Sequence, residues 1–409
     1  GAAIGASALL ASFATDRRFI RSVHDWRRPL PAVASPLRVA GAAVGLAALA
    51  VVVYRGFTGP DIPTVNAAVL IVFVGGRAGV TMVAALVGNP WPSLNPWRTV
   101  ASAVPNSFRT YPTRLARWPA VAGVLALVWL ETTTGVTERP ASLATLVVAY
   151  SLVTTLGAVV FGPDDWFGNV DPVSVFLRAY GRVAPLTVED GRLTLRLPGM
   201  GLVERYGSAE PHDSDVAFAV ALVWELTFSG FVTTSVGGDA VRAAVGVGLP
   251  PLAVYAALFV GGYGAFLGAY RLAGVAAARR VPTGRDATAL ARRFAPSLFA
   301  IAAGYHLAHY LAFFLSLSPS LSDAVVSPLS PPANPLVLTL PAWVGALGIA
   351  SILLGHVLAV WVSHSTAYEL FPSRLQAIRV QYPFVAVMVG YTAASLWLVS
   401  LPTAAPPFV

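Results

Sequence analysis

The stretch Phe294–Leu317, FAPSLFAIAAGYHLAHYLAFFLSL, decides how this chain is read. As a helix it is long enough to cross the ~30 Å hydrocarbon core of a bilayer. It nevertheless carries His306 and His309 well inside the run. Imidazoles are costly in hydrocarbon and normally face a bundle interior, a partner or a ligand. A second apolar stretch, Pro341–Ser363, holds His356, with His364 just past its end. The two stretches, with the residue just past the second, account for four of the six histidines in the chain. The pattern predicts an all-α, polytopic transmembrane helix bundle built around a polar site.

Composition agrees. The 409 residues are 56% apolar and 11% charged, with a mean hydropathy of +0.69, against about 25% charged residues in soluble domains. The 27 basic residues are all arginine. Without lysine there is no Schiff base to retinal or pyridoxal phosphate, and no P-loop lysine. Without cysteine there is no disulfide, no Cys-ligated iron–sulfur cluster and no thiolate nucleophile. The net charge of +8 follows membrane topology and does not mark a nucleic-acid surface.

Ten spans are expected, near 1–15, 39–54, 65–87, 118–134, 140–161, 216–235, 251–271, 294–317, 341–363 and 381–401. The run 1–15 reaches only ~22 Å as a helix, so residues upstream are expected to complete it. Arginines concentrate in alternate loops: Arg17 to Arg38, Arg98 to Arg117, the segment 162–215, Arg271 to Arg293, and Arg374 with Arg379. By the positive-inside rule these loops face the cytoplasm of a plasma-membrane protein, with both termini outside. Residues 1–161 then hold five spans, 162–215 form a cytoplasmic insertion, and 216–409 hold five more. Within the insertion, Asp171 can cap a helix starting at Pro172, with Val173, Phe176, Leu177 and Tyr180 on one face. Leu186–Leu197 alternates around Asp190-Gly191, the mark of a hairpin. Gly75 with Gly79, and Gly264 with Gly268, are expected at close helix crossings.

The candidate site comes from depth. Counted from the cytoplasmic boundary at ~1.5 Å per residue, Glu225 lies ~14 Å deep, Arg77 ~16 Å, His306 ~18 Å, His309 ~22 Å and His356 ~12–18 Å. Arg77 can ion-pair with Glu225 as a neutral buried pair, and each histidine can simply bond a neighbouring helix. Brought together, His306, His309, His356 and Glu225 suit a divalent metal such as zinc, copper or iron. Glu225 would then be a ligand or a general base, and Arg77 would stabilise anionic charge. His364, Tyr305 and Tyr310 are additional candidates around that set. Haem b held by one histidine from each of the two helices ranks below the metal.

Several local motifs carry a family resemblance. They are AHY at Ala308–Tyr310, GHVLAV at Gly355–Val360, SHSTA at Ser363–Ala367, QYP at Gln381–Pro383, Met388, Tyr391-Thr392, Leu396-Trp397, and LNPWRT at Leu94–Thr99. With these the chain resembles a family of polytopic membrane proteins from actinobacteria and haloarchaea labelled fenitrothion hydrolase. The resemblance implies a phosphotriester hydrolase and groups His309, His356 and His364. Where that family carries an aspartate motif in the sixth span, this chain has Trp224-Glu225-Leu226-Thr227.

Three functional readings follow. The first is a metal-dependent membrane hydrolase acting on an ester. The second is a proton- or ion-coupled transporter using the same Glu, His and Arg. The third is a structural or haem-binding subunit of a larger electron-transfer complex. Expected partners are the lipid bilayer and other membrane subunits, with no nucleic acid.

Overall fold

In lipid, a backbone must satisfy its own N–H and C=O groups, and a helix does so within one segment. The long apolar runs accordingly form helices in the computed structural model, which describes residues 17–32, 35–189, 192–203, 211–281 and 286–408. Eight helices among the described residues are long and apolar enough to cross a membrane, and Trp118–Thr133 is a shorter apolar helix. The run expected at 1–15 lies outside the described residues.

In chain order the principal elements are α1 (Arg17–His24), β1 (Arg27–Ala32), α2 (Ser35–Thr58) and α3 (Ala67–Leu86). Next come α4 (Trp118–Thr133), α5 (Pro140–Phe161), α6 (Pro172–Gly181), β2 (Leu186–Glu189) and β3 (Arg192–Arg196). The second half holds α7 (Asp213–Val232), α8 (Pro251–Ala278), α9 (Ser297–Val326), α10 (Trp343–Leu370) and α11 (Arg374–Ser400).

Contacts between loops fix which helix ends lie together. The three strands form one antiparallel sheet in the order β1-β3-β2, so the segment before α2 sits beside the segment before α7. On this face Arg117 pairs with Asp215, Arg292 with Asp213 at 2.9 Å and His24 with Glu369 at 3.3 Å. The hydrogen bond to Asp213 holds the Arg292 guanidinium above its ordinary pKa. At the opposite face Thr234 bridges Thr403, and the Tyr255 hydroxyl donates to the Pro407 carbonyl at 2.8 Å. The arginine-rich loops thus share one face of the bundle.

Several boundaries differ from those read off the sequence. The hairpin forms with Leu186 opposite Leu195 and Glu189 opposite Arg192, its turn residues lying outside the described set. Its partner β1, however, comes from far earlier in the chain and was not anticipated (Arg27 pairs with Arg196). Span 341–363 continues to Leu370, which makes His364 an internal residue, 1% exposed. Span 294–317 starts at Ser297 and runs to Val326, after a separate helix Ala287–Phe294. Span 381–401 begins at Arg374. A hydropathy count stops near the first polar or charged residues, whereas these helices continue through them, as α10 does through His364 and Glu369 and α11 from Arg374.

The close crossing is also elsewhere. A Cβ on Gly264 or Gly268 would meet nothing within 4 Å, so that pair does not mark a tight contact. A Cβ on Gly79 would come within 2.9 Å of the Phe314 ring. Among the membrane-length helices, a close approach of two backbones joins α9 to α10. A Cβ on Gly304 would lie 2.4 Å from the Ser351 carbonyl oxygen, and one on Gly355 would lie 2.6 Å from the Ala300 carbonyl oxygen. Backbone cannot yield as a side-chain tip can. Gly304→Leu and Gly355→Leu are therefore expected to cost ~1–3 kcal/mol each by overpacking, while Gly264→Leu leaves stability unchanged. Thermal unfolding of the three variants in detergent checks this, and equal midpoints would remove the contact from the account.

Candidate functional site

Arg77 sits in the interior of α3, nine residues from its arginine-side end at Leu86 and hence ~14 Å along the axis. The segment Leu70–Val80 around it is π-helical. Three glycines (Gly75, Gly76 and Gly79) weaken the α-helical preference there, and such π segments recur at functional sites.

The guanidinium bonds the Glu225 carboxylate of α7 through Nη2. Its Nε lies 3.4 Å from Oε2 of Glu131 on α4. The Tyr310 hydroxyl reaches the other Glu131 oxygen at 3.5 Å. Two rings lie against the charge, Tyr310 at 5.1 Å and Phe176 at 5.6 Å, both within cation–π range. One cation thus faces two carboxylates. Exposure separates these two: the Glu225 side chain is 1% exposed and that of Glu131 is 22% exposed. Glu131 occupies the last turn of α4, at the arginine-poor end.

His306 closes the cluster on the arginine side. Its Nε2 lies 3.0 Å from the backbone carbonyl oxygen of Arg77. A carbonyl only accepts, so Nε2 carries the proton and Nδ1 of the neutral ring is an acceptor. That Nδ1 is buried with no partner among the described residues, as are Glu225 Oε1 and the hydroxyls of Tyr180 and Tyr305. Buried polar atoms are seldom left unpaired, and a group of four around one ionic cluster calls for an explanation. Tyr180 packs its ring against His306 at 5.6 Å.

Phe176 and Tyr180 both come from α6, the helix expected within the insertion. Asp171 caps it as the spacing indicates, its carboxylate accepting from the Ser174 N–H at 2.8 Å. The same carboxylate accepts from Tyr150 and from Thr154 at 3.2 Å. The cap is itself tied into the bundle: Asn95 donates to the Ser174 hydroxyl at 3.2 Å and Trp91 does so at 3.0 Å. The helix does not lie on a membrane surface. Residues 174–177 and 179–181 are buried, and the Pro172 ring fills the space beside Gly123 on α4.

His309 and Tyr305 border the cluster, whereas His356 and His364 bond a different helix. His356 Nδ1 lies 2.9 Å from the Thr392 hydroxyl, and His364 Nδ1 lies 3.1 Å from the Gln381 amide nitrogen, so both tie α10 to α11. The His309 ring stacks edge-on against Tyr310 at 4.8 Å between centroids. Among the described residues no three His, Asp or Glu side chains form a group that could hold a metal ion. Arg77, Glu225, His306 and Tyr310 come together; His356 and His364 do not join them. Glu131, Phe176 and Tyr180 are part of the cluster and were missed as site residues. Glu131 had one signal, being the only charge in the run 118–134.

The pairing has a measurable consequence. Arg77→Met leaves two buried-side carboxylates without a counter-charge and is expected to cost ~3–5 kcal/mol. The double variant Arg77→Met/Glu225→Leu should recover more than ~1 kcal/mol of that loss. Unfolding midpoints in detergent for the two single variants and the double variant decide it; additive losses would show that the pair contributes nothing to stability.

The chain matches no family model, no curated protein and no solved structure.

Proposed function

We propose that this integral membrane protein is a proton- or cation-coupled transporter working through Arg77, Glu225 and Glu131. One observation carries the reading: two carboxylates share one guanidinium inside the bundle. With both ionised, the cluster holds an uncompensated negative charge, which is expensive away from water unless a proton or cation joins it. Intramembrane carboxylates of this kind serve as relay or coupling sites.

The partly exposed Glu131 is the loading group on the arginine-poor side. When it takes up a proton its hold on the Nε edge of Arg77 weakens, and the guanidinium rests on Glu225 alone. Transfer of that proton to Glu225 reverses the balance. His306 Nδ1 and the Tyr180 hydroxyl, both lacking partners among the described residues, are acceptor and donor positions leading toward the arginine-rich face. By the charge distribution that face is cytoplasmic.

The hydrolase reading from the family resemblance needs His309, His356 and His364 to act as a set. Their contacts point to three separate neighbours, Tyr310, Thr392 and Gln381, so the transporter reading is preferred.

Reconstituted vesicles containing a trapped pH dye, with a potassium diffusion potential imposed, test the proposal. The wild-type protein is expected to admit protons or sodium faster than protein-free vesicles. Glu225→Gln should reduce the flux at least tenfold, and Glu131→Gln should slow it while leaving it measurable. Vesicles no more permeable than protein-free ones to protons, sodium and potassium alike would overturn the reading.

A further inference from the structure

A second polar region lies on the arginine-rich face, one helix away from the ionic cluster. A cavity of about 450 Å³ opens there between α6, the start of α7, the helix Ala287–Phe294 and the end of α10. This is within the ~300–1,000 Å³ typical of small-molecule sites. Its floor is apolar, formed by Val175, Ala179, Phe218 and Phe299, each at most 5% exposed. Its rim is charged.

The rim charges can be accounted for one by one. Arg117 is neutralised by Asp215 and Arg292 by Asp213. Arg182 donates to the carbonyls of Gly201 at 2.8 Å and Leu202 at 3.4 Å. Glu369 faces His24 at 3.3 Å, and Asp165 stands at the exposed outer edge. Arg293 also lines the cavity and, among the described residues, has neither a hydrogen-bond nor an ion-pair partner. A half-buried guanidinium without an acceptor among the described residues, over an apolar floor, is complementary to one kind of molecule: an anionic head on a compact hydrophobic body.

We propose that this cavity is a binding site for a small organic anion, its carboxylate or phosphate held by Arg293 and its apolar body resting on Val175, Ala179, Phe218 and Phe299. Positions 175 and 179 of α6 face the cavity while 176 and 180 face Arg77 and His306. The bound anion therefore lies one helix thickness from the ionic cluster. The site stands on its own lining and does not depend on the transport reading; where both hold, it is the chamber from which a coupled substrate is taken or into which it is released.

Isothermal titration of the purified full chain in detergent tests this, using benzoate, phenyl phosphate and neutral benzyl alcohol as probes. Saturable binding of at least one anion, with benzyl alcohol much weaker, is expected, and the stronger anion tells carboxylate from phosphate. Arg293→Gln should weaken it about tenfold or more, the scale of a lost charge-assisted hydrogen bond. Phe299→Trp, which occupies the floor without altering charge, should weaken both anions. Thermal unfolding establishes that each variant is folded; should Arg293→Gln fail that check, Phe299→Trp decides. Failure of both anions to saturate, equal binding of benzyl alcohol, or wild-type affinity in a folded variant at either position would overturn the proposal. Because no flux is measured, a negative result here leaves the vesicle experiment independent.

Discussion

A guanidinium held ~14 Å inside an apolar bundle is the constraint around which the other helices arrange themselves. Arg77 cannot lose its charge in a protein, so at that depth it needs counter-charges, and α4 and α7 each supply one. The rings of Phe176 and Tyr310 pack against it, and His306 binds the carbonyl of the same residue. Four separate helices besides α3 thus converge on one side chain. The arrangement over-provides in one respect only: it brings two carboxylates to a single cation. A purely structural ion pair needs one.

The second constraint is α6. Helical backbone that does not span the membrane is tolerated among spanning helices only where protein covers it. Here the Asp171 cap is bonded by Tyr150, Thr154 and Ser174, Ser174 by Trp91 and Asn95, and the rest is buried by neighbours. Its position gives the helix two working faces about 100° apart, one on the ionic cluster and one on the arginine-rim cavity. This ten-residue helix thus contributes side chains to both polar regions.

The sequence displayed the class of fold and the cation–carboxylate pair well, because both rest on signals that survive without tertiary information. Apolar run length gave the spans, and a charge in the middle of a run gave Arg77 and Glu225. Depth counting was less reliable for the histidines. It places residues in a layer but does not say which way a side chain points around its helix. Counting puts His306 and His356 in one layer, yet α9 and α10 cross with Gly355 against Ala300, one residue from His356, and the two rings bond different neighbours, Arg77 and Thr392. Glu131 escaped because it lies near a span end, where a charge ordinarily meets water. The long side chain of Arg77 spans that difference in level. The third strand was hidden for another reason: β1 contains two prolines in RRPLPA, a composition that argues against a strand except at a sheet edge, and at the edge is where it pairs.

The division between rigid and movable parts follows from the same contacts. Helices α9 and α10 meet backbone to backbone at Gly304 and Gly355, and α10 is tied to α11 by His356–Thr392 and His364–Gln381. Close-packed, cross-bonded helices of this sort transmit strain and do not absorb it. The ionic cluster is joined to that block through His306 and Tyr310 on α9. Its other members come from α3, α4, α6 and α7, and α3 passes through a π-helical stretch just at Arg77. A change in which carboxylate holds the guanidinium therefore has little freedom on the α9–α11 side. It would be taken up by the π segment, by rotation of the Arg77 side chain between Glu131 and Glu225, or by α6, whose Phe176 ring packs against the guanidinium.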